Sequence, residues 1–140
     1  MKIVIGSDHR GFEGKKFLIE NFSDIDWLDV GTFSDERTDY PEFAKKAVKK
    51  ILEKEANLGI LICGSGIGMS IAANRFKDIY AGLVWNKEVA KSAKEDDNVN
   101  ILILPSDFVS PDKFIDIVRS WLYAEFKGGI YKKRLDMIDS

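Results

Sequence analysis

Five short apolar runs, each followed by a stretch of helical periodicity or a loop leading into one, constrain the fold of this chain more than any other feature. Lys2 to Gly6, Trp27 to Val30, Leu58 to Ile62, Ala81 to Trp85 and Ile101 to Leu104 read as strands. Several are apolar at successive rather than alternate positions, the pattern of a strand covered on both faces. Between them, Gly11 to Phe22 carries Phe12, Leu18, Ile19 and Phe22 as the apolar side of a helix. After the turn at Tyr40-Pro41, Ala44, Ala47, Val48, Ile51 and Leu52 fall at helical spacing with lysines opposite. A short helix through Ala72, Ala73 and Asn74 follows the third strand, and Asn86 is placed to cap another that runs to about Asp97. Ser110-Pro111 opens the next, with Phe114, Ile117, Val118, Trp121 and Leu122 on one face; Gly128-Gly129 breaks it, and a basic segment follows from Tyr131 to Arg134. This alternation predicts an α/β fold, a parallel sheet covered on both sides. The 140 residues hold no repeat, linker or low-complexity stretch, so one domain spanning 1–140 is expected.

Composition narrows the function. A formal net charge of −2 disfavours nucleic-acid or acidic-membrane partners. No apolar run approaches the roughly 20 residues of a membrane span, and no secretory leader pattern is visible. The single cysteine, Cys63, rules out an intrachain disulfide and fits a reducing compartment, so a cytoplasmic protein is expected. The single histidine, His9, cannot build a metal site on its own.

In sheets of this kind ligands bind beyond the carboxyl ends of strands, where the winding reverses. Two loops at such ends are chemically loaded: Ser7-Asp8-His9-Arg10, and Cys63-Gly64-Ser65-Gly66-Ile67-Gly68-Met69-Ser70. Alternating glycines at 64, 66 and 68 let successive amides converge on an anion at a helix start, where a thiol is also favoured as thiolate. A base beside an oxyanion cradle is the equipment for proton abstraction next to a carbonyl. Glycine spacing alone leaves a tight turn around a buried, inert cysteine equally open. The run lacks the Gly-Lys-Ser/Thr ending of a nucleotide-binding loop, and its spacing misses the dinucleotide fingerprint by one residue. A lone histidine is more often structural, but His9 lies opposite the glycine loop, which favours function. Arg134, beside Lys132 and Lys133, reads equally well as part of a solvated tail.

With these residues in view, the chain resembles the ribose-5-phosphate isomerase B and galactose-6-phosphate isomerase family over nearly its whole length. The matching stretches are Ile5-Gly6-Ser7-Asp8-His9, Asp29-Val30-Gly31-Thr32, Thr38-Asp39-Tyr40-Pro41, Gly59 through Asn74, and Phe126-Lys127-Gly128-Gly129. The resemblance implies a three-layer Rossmann-like fold with a five-stranded parallel sheet. It implies a homodimer or tetramer whose active site lies at the subunit interface, a small sugar phosphate as substrate, and neither metal nor organic cofactor. It also implies residue roles. Cys63 would move a proton between carbons, Ser65 would shuttle hydroxyl protons, and the amides of Gly64, Gly66 and Gly68 would hold an enediolate. Asp8 would bind sugar hydroxyls, His9 and Arg134 the phosphate, Tyr40 the substrate from across the dimer, and Asn74 belongs to the same motif.

Five positions, at three places in the chain, depart from the family pattern. Asp96-Asp97 stand where a ring-opening His-Asn pair is usual, Asp107 stands where an arginine is usual, and Ile130-Tyr131 replace Arg-His. Aspartate is a poor acid at neutral pH, and loss of arginines weakens a phosphate grip. Arg10, in place of a usually small residue, offers partial compensation as a phosphate ligand. An isomerase with an altered substrate is therefore expected, the alternative being a non-catalytic or partner-dependent sugar-binding subunit. A thiol hydrolase or redox protein would lack a second cysteine.

Overall fold

The computed structural model describes residues 1–140. The strands β1 (Lys2–Ser7), β2 (Asp26–Asp29), β3 (Leu58–Cys63), β4 (Ala81–Leu83) and β5 (Ile101–Pro105) form one parallel sheet in the order β2-β1-β3-β5-β4. The helices are α1 (Phe12–Asn21), α2 (Tyr40–Leu52), α3 (Ile67–Asn74), α4 (Lys87–Asp97), α5 (Pro111–Tyr123) and α6 (Ile130–Ile138).

Continuous apolar strands mean that alternate side chains feed two cores. Ile3, Ile5, Ile60, Ile62, Leu102 and Leu104 face α1, α4 and α5. Val4, Leu61, Cys63, Ile101 and Ile103 face α2 and α3. On the first face Phe114, Ile117, Val118 and Trp121 of α5 are all buried, and each such side chain contributes about 1.5–3 kcal/mol by leaving water. Trp121 also donates its indole N–H to the Val99 carbonyl at 3.0 Å, so its polar end is satisfied.

Local signals act mostly as their chemistry dictates. Asn86 caps α4, its side-chain oxygen accepting from the Val89 N–H at 2.8 Å. Ser110 makes no side-chain cap bond, and α5 relies on Pro111 in its first turn. The α5 helix stops at Tyr123, before the Gly128-Gly129 break, and β4 ends at Leu83, two residues short of the expected Trp85. The basic segment expected as a tail is the helix α6, entered through Gly128 and Gly129 at φ of 68° and 56°. Leu135 anchors it, Tyr80 Oη lies 3.1 Å from Asp139 Oδ2, and α6 packs against α4 at the β4 edge.

The winding reverses between β1 and β3, since the chain steps outward to β2 and then returns past β1. The carboxyl ends of β1 and β3 lie side by side there, Ser7 in register with Ile62. Gly11, opening α1, sets the spacing: a Cβ added there would stand 2.7 Å from the Ile62 carbonyl carbon. Backbone cannot give way as a side-chain tip can. Gly11→Ala is therefore expected to cost about 1–3 kcal/mol through overpacking, read as a lowered midpoint in thermal melting.

Candidate active site

Cys63 ends β3 with only 5% of its surface exposed, in the core layer beneath α2 and α3. Gly66 takes the left-handed conformation (φ 78°) that turns the strand into α3. This turn aims the amides of Gly66 and Met69 at the sulfur. Those two contacts favour the thiolate, but the expectation that the thiol is held ionised at this turn fails. Burial outweighs them and pushes the thiol above its ordinary value, with Asp8 adding to the rise and Arg10 opposing it. The half-buried Ser65 accepts from the Ile67 N–H at 3.2 Å, and its hydroxyl proton remains available.

The β1 loop is built by Asp8. Its Oδ1 accepts from the N–H groups of Arg10 and Gly11, both at 3.0 Å, while its second oxygen makes no bond within the chain. His9 is clamped by the loop that precedes α2: its backbone N–H donates to Thr38 Oγ1 at 3.1 Å, and the Thr38 N–H donates to His9 Nδ1 at 3.2 Å. An Nδ1 that accepts leaves the ring proton on Nε2, so His9 offers a donor away from the clamp.

Asp8, His9 and Arg10 then line a cleft of about 820 Å³ with Arg37, Thr38, Asp39, Tyr40 and Pro41. The glycine loop runs along it. A Cβ on Gly64 would meet the Arg10 guanidinium, and one on Gly68 would stand 2.5 Å from the Tyr40 ring. Only glycine lets these two side chains lie so close to the turn that holds Cys63.

Tyr40 lies against Gly68 of its own chain, because the Thr38–His9 clamp folds its loop inward. Arg10, expected as a phosphate ligand, is paired with the Asp107 carboxylate. Asn74 does not face the cleft: its amide donates to the Ala81 carbonyl at 2.9 Å and accepts from the Ala81 N–H at 2.8 Å, tying α3 to β4. Arg134 lies on α6 at the β4 edge, three strand spacings from β1, roughly 14 Å, and does not line the cleft. Asp96 is paired with Lys127 at 3.2 Å, near Tyr131, over whose ring Lys127 and Arg134 both sit.

Arg37 escaped sequence reasoning. It is exposed, makes no ion pair, and stands on the cleft rim one residue before the clamp. Its signal was faint: one arginine in an acidic loop whose course is set by the fold.

The chain matches known proteins over nearly its whole length. The family model described as Ribose/Galactose Isomerase matches residues 3–138. The chain belongs to that family. It is 44% identical over 139 residues to a putative sugar phosphate isomerase of Rickettsia bellii, covering 98% of this chain and 96% of that one. Its fold superposes on a ribose 5-phosphate isomerase of Thermotoga maritima with a TM-score of 0.96 at 43% identity, covering 99% and 97% of the two chains. A ribose-5-phosphate isomerase B of Mycoplasma genitalium, solved with bound ribulose-5-phosphate, gives 0.92 at 39% identity, covering 98% and 93%. No helix of the chain is long and apolar enough to cross a membrane.

A second concavity, about 850 Å³, lies on the far side, between β4, α4 and α6, lined largely by apolar groups such as Trp85, Leu135 and Ile138. It is lined by no histidine and no thiol.

Proposed function

We propose that this chain, folded as one domain, interconverts an aldose phosphate and a ketose phosphate of the ribose 5-phosphate and ribulose 5-phosphate type through an enediolate. The single observation that carries this reading is a buried thiol at a strand end, faced by two amides and followed by a glycine loop on which Arg10 and Tyr40, two lining residues of a polar cleft, are packed.

The Cys63 thiolate removes the proton from C2 of the open-chain aldose, and the electron pair moves onto the carbonyl oxygen. The amides of the 64–68 turn take the negative charge. Ser65 passes a hydroxyl proton between O2 and O1, and the Cys63 thiol returns its proton to C1, leaving the ketose and a restored thiolate. The free carboxylate oxygen of Asp8 accepts from sugar hydroxyls. His9 Nε2 and the unpaired Arg37 give the cleft rim its hold on phosphate.

Assembly completes the proposal. The groove at β4 and α6 is apolar, with Trp85 57% and Ile138 68% exposed, and a second copy covering it brings Arg134 toward a neighbouring cleft as a further phosphate ligand. A reducing, cytoplasmic setting suits a catalyst that depends on a free thiol.

Two ion pairs favour a modified substrate preference: Arg10 is neutralised by Asp107, and Asp96 by Lys127. The test is isomerisation by the purified protein of pentose, hexose and tetrose phosphates and free sugars. Turnover of ribose 5-phosphate is expected, with relatively better performance on a tetrose 4-phosphate, which has no furanose ring to open. Saturable binding without turnover of any of them would replace this reading with a partner-dependent sugar-binding subunit.

A further inference from the structure

The two loops of the cleft are stapled together by a third, the residues directly after β5. The Ser106 N–H donates to the Cys63 carbonyl at 2.9 Å, and the Asp107 N–H donates to the Gly64 carbonyl at 2.9 Å. The Ser106 hydroxyl stands 3.0 Å from the Arg10 carbonyl and 3.1 Å from that of Cys63, able to donate to either. Above this staple the Asp107 carboxylate pairs with the Arg10 guanidinium. Arg10 is thus held at both ends, its backbone N–H by Asp8 and its head by Asp107. The head rests against Gly64, where a Cβ would stand 2.6 Å from Arg10 Cζ. A planar cation is therefore fixed on the first residue after the thiol.

We infer that Arg10, positioned by Asp107, stabilises the enediolate oxygen formed beside Cys63 rather than anchoring the phosphate. The inference rests on the isomerase reading above. Distance supports it: in an aldose 5-phosphate the phosphorus lies at the opposite end of the carbon chain from C1 and C2. A cation beside Cys63 cannot serve the reacting carbons and that phosphate together. Charge supports it independently. The Asp107 carboxylate reduces the net charge of the pair, which then suits a single transient negative charge better than a resident dianion. The pair is half-exposed, its side chains at 56% and 32%, so it adds little to stability; what it supplies is a fixed direction for the guanidinium.

The charged groups facing the thiol are few. Asp8 raises its pKa and Arg10 lowers it, with Asp107 behind Arg10 and the uncharged Tyr40 ring over Gly68. Removing the Arg10 charge should therefore move the Cys63 titration to higher pH as well as slow the reaction.

Two readouts decide the matter. The first is steady-state kinetics on the best substrate of the sugar panel; the second is a titration of the Cys63 thiol by NMR of a ¹³Cβ-cysteine label. The chain's only cysteine gives one signal, and the titration needs no turnover. Arg10→Met is expected to lower kcat about 10- to 100-fold with KM within about twofold, and to raise the Cys63 midpoint. Arg10→Lys should recover part of kcat, and Asp107→Asn should lower kcat several-fold with the same split. Each variant is checked for an unchanged fold by thermal melting. A raised KM with unchanged kcat in Arg10→Met would make Arg10 a phosphate anchor and overturn the inference. An unmoved Cys63 titration would overturn its placement beside the thiol. A moved titration in a protein that turns over no sugar would sink the isomerase reading, and the enediolate role with it, while leaving Arg10 beside the thiol.

Discussion

Cys63→Ala is expected to reduce kcat by about 10³-fold or more, since the proton relay between the carbons has no other base in place. Asp8 is the carboxylate whose charge acts on the thiol, but one of its oxygens is committed to the start of α1. His9 Nδ1, the only basic nitrogen of its neutral ring, is occupied by the Thr38 N–H. Cys63→Ser should be nearly as inactive, because a serine hydroxyl is far harder to ionise than a thiol. The fold is expected to survive: Cys63 belongs to the core layer facing α2 and α3, but removing one sulfur atom costs only about 1 kcal/mol. The wild-type pH profile supplies a second check. In the proposed mechanism the active form is the thiolate, and burial holds the Cys63 pKa above the ordinary thiol value. At pH values below it the thiolate fraction rises tenfold per unit, so kcat/KM should climb with pH through neutrality and level off only in the alkaline range. Near-normal turnover by Cys63→Ala, or a rate that falls as pH rises past 7, would remove the thiol from the mechanism.

The readable parts of this protein were those where a local pattern had one physical outcome. Runs such as Ile60-Leu61-Ile62 fit only a strand buried on both faces, and the structure divides them between the two cores. The glycine loop after Cys63 was legible for the same reason, since a left-handed residue at Gly66 is needed to turn directly into α3. The illegible parts depend on where distant segments meet. Nothing near Tyr40 says that its ring will rest on Gly68, and nothing near Arg10 says that Asp107, 97 positions away, will hold it. Asn74 sits inside the most family-specific stretch of the chain, yet its amide is bound at both ends by Ala81. A motif match assigns membership; it does not distinguish a residue that meets substrate from one that holds the scaffold. Lys15 and Lys94 were equally illegible: both lie on helices, and both are buried by segments distant in the chain.

Lys15→Ala is expected to produce the largest loss of stability among the substitutions considered, about 3–5 kcal/mol, with a thermal midpoint lower by about 10 °C or more. Lys15 is 1% exposed, three residues after Phe12 and three before Leu18, on the inward side of α1. Its ammonium donates to Asp29 Oδ1 at 2.7 Å and to the Thr32 carbonyl at 2.5 Å, and lies 4.9 Å from the centre of the Phe33 ring. Truncation therefore leaves a part-buried carboxylate without its partner, a buried carbonyl without its donor, and a void beneath Phe33. Asp29 also accepts from the Gly31 N–H at 2.9 Å, so the same ion pair fixes the start of the loop that leads to Thr38 and Tyr40. That connection carries the effect to function. Once Thr32 is loosened, the Thr38 clamp on His9 and the placement of Arg37 loosen too, and KM should rise several-fold while kcat, governed by Cys63 and its amides, changes less. Lys15→Met separates the two consequences: it fills the space beneath Phe33 but supplies neither charge nor donor. It should recover part of the lost stability and little of the lost affinity. Full affinity in Lys15→Met would show that the loop holds its course without the ammonium, and would confine Lys15 to packing.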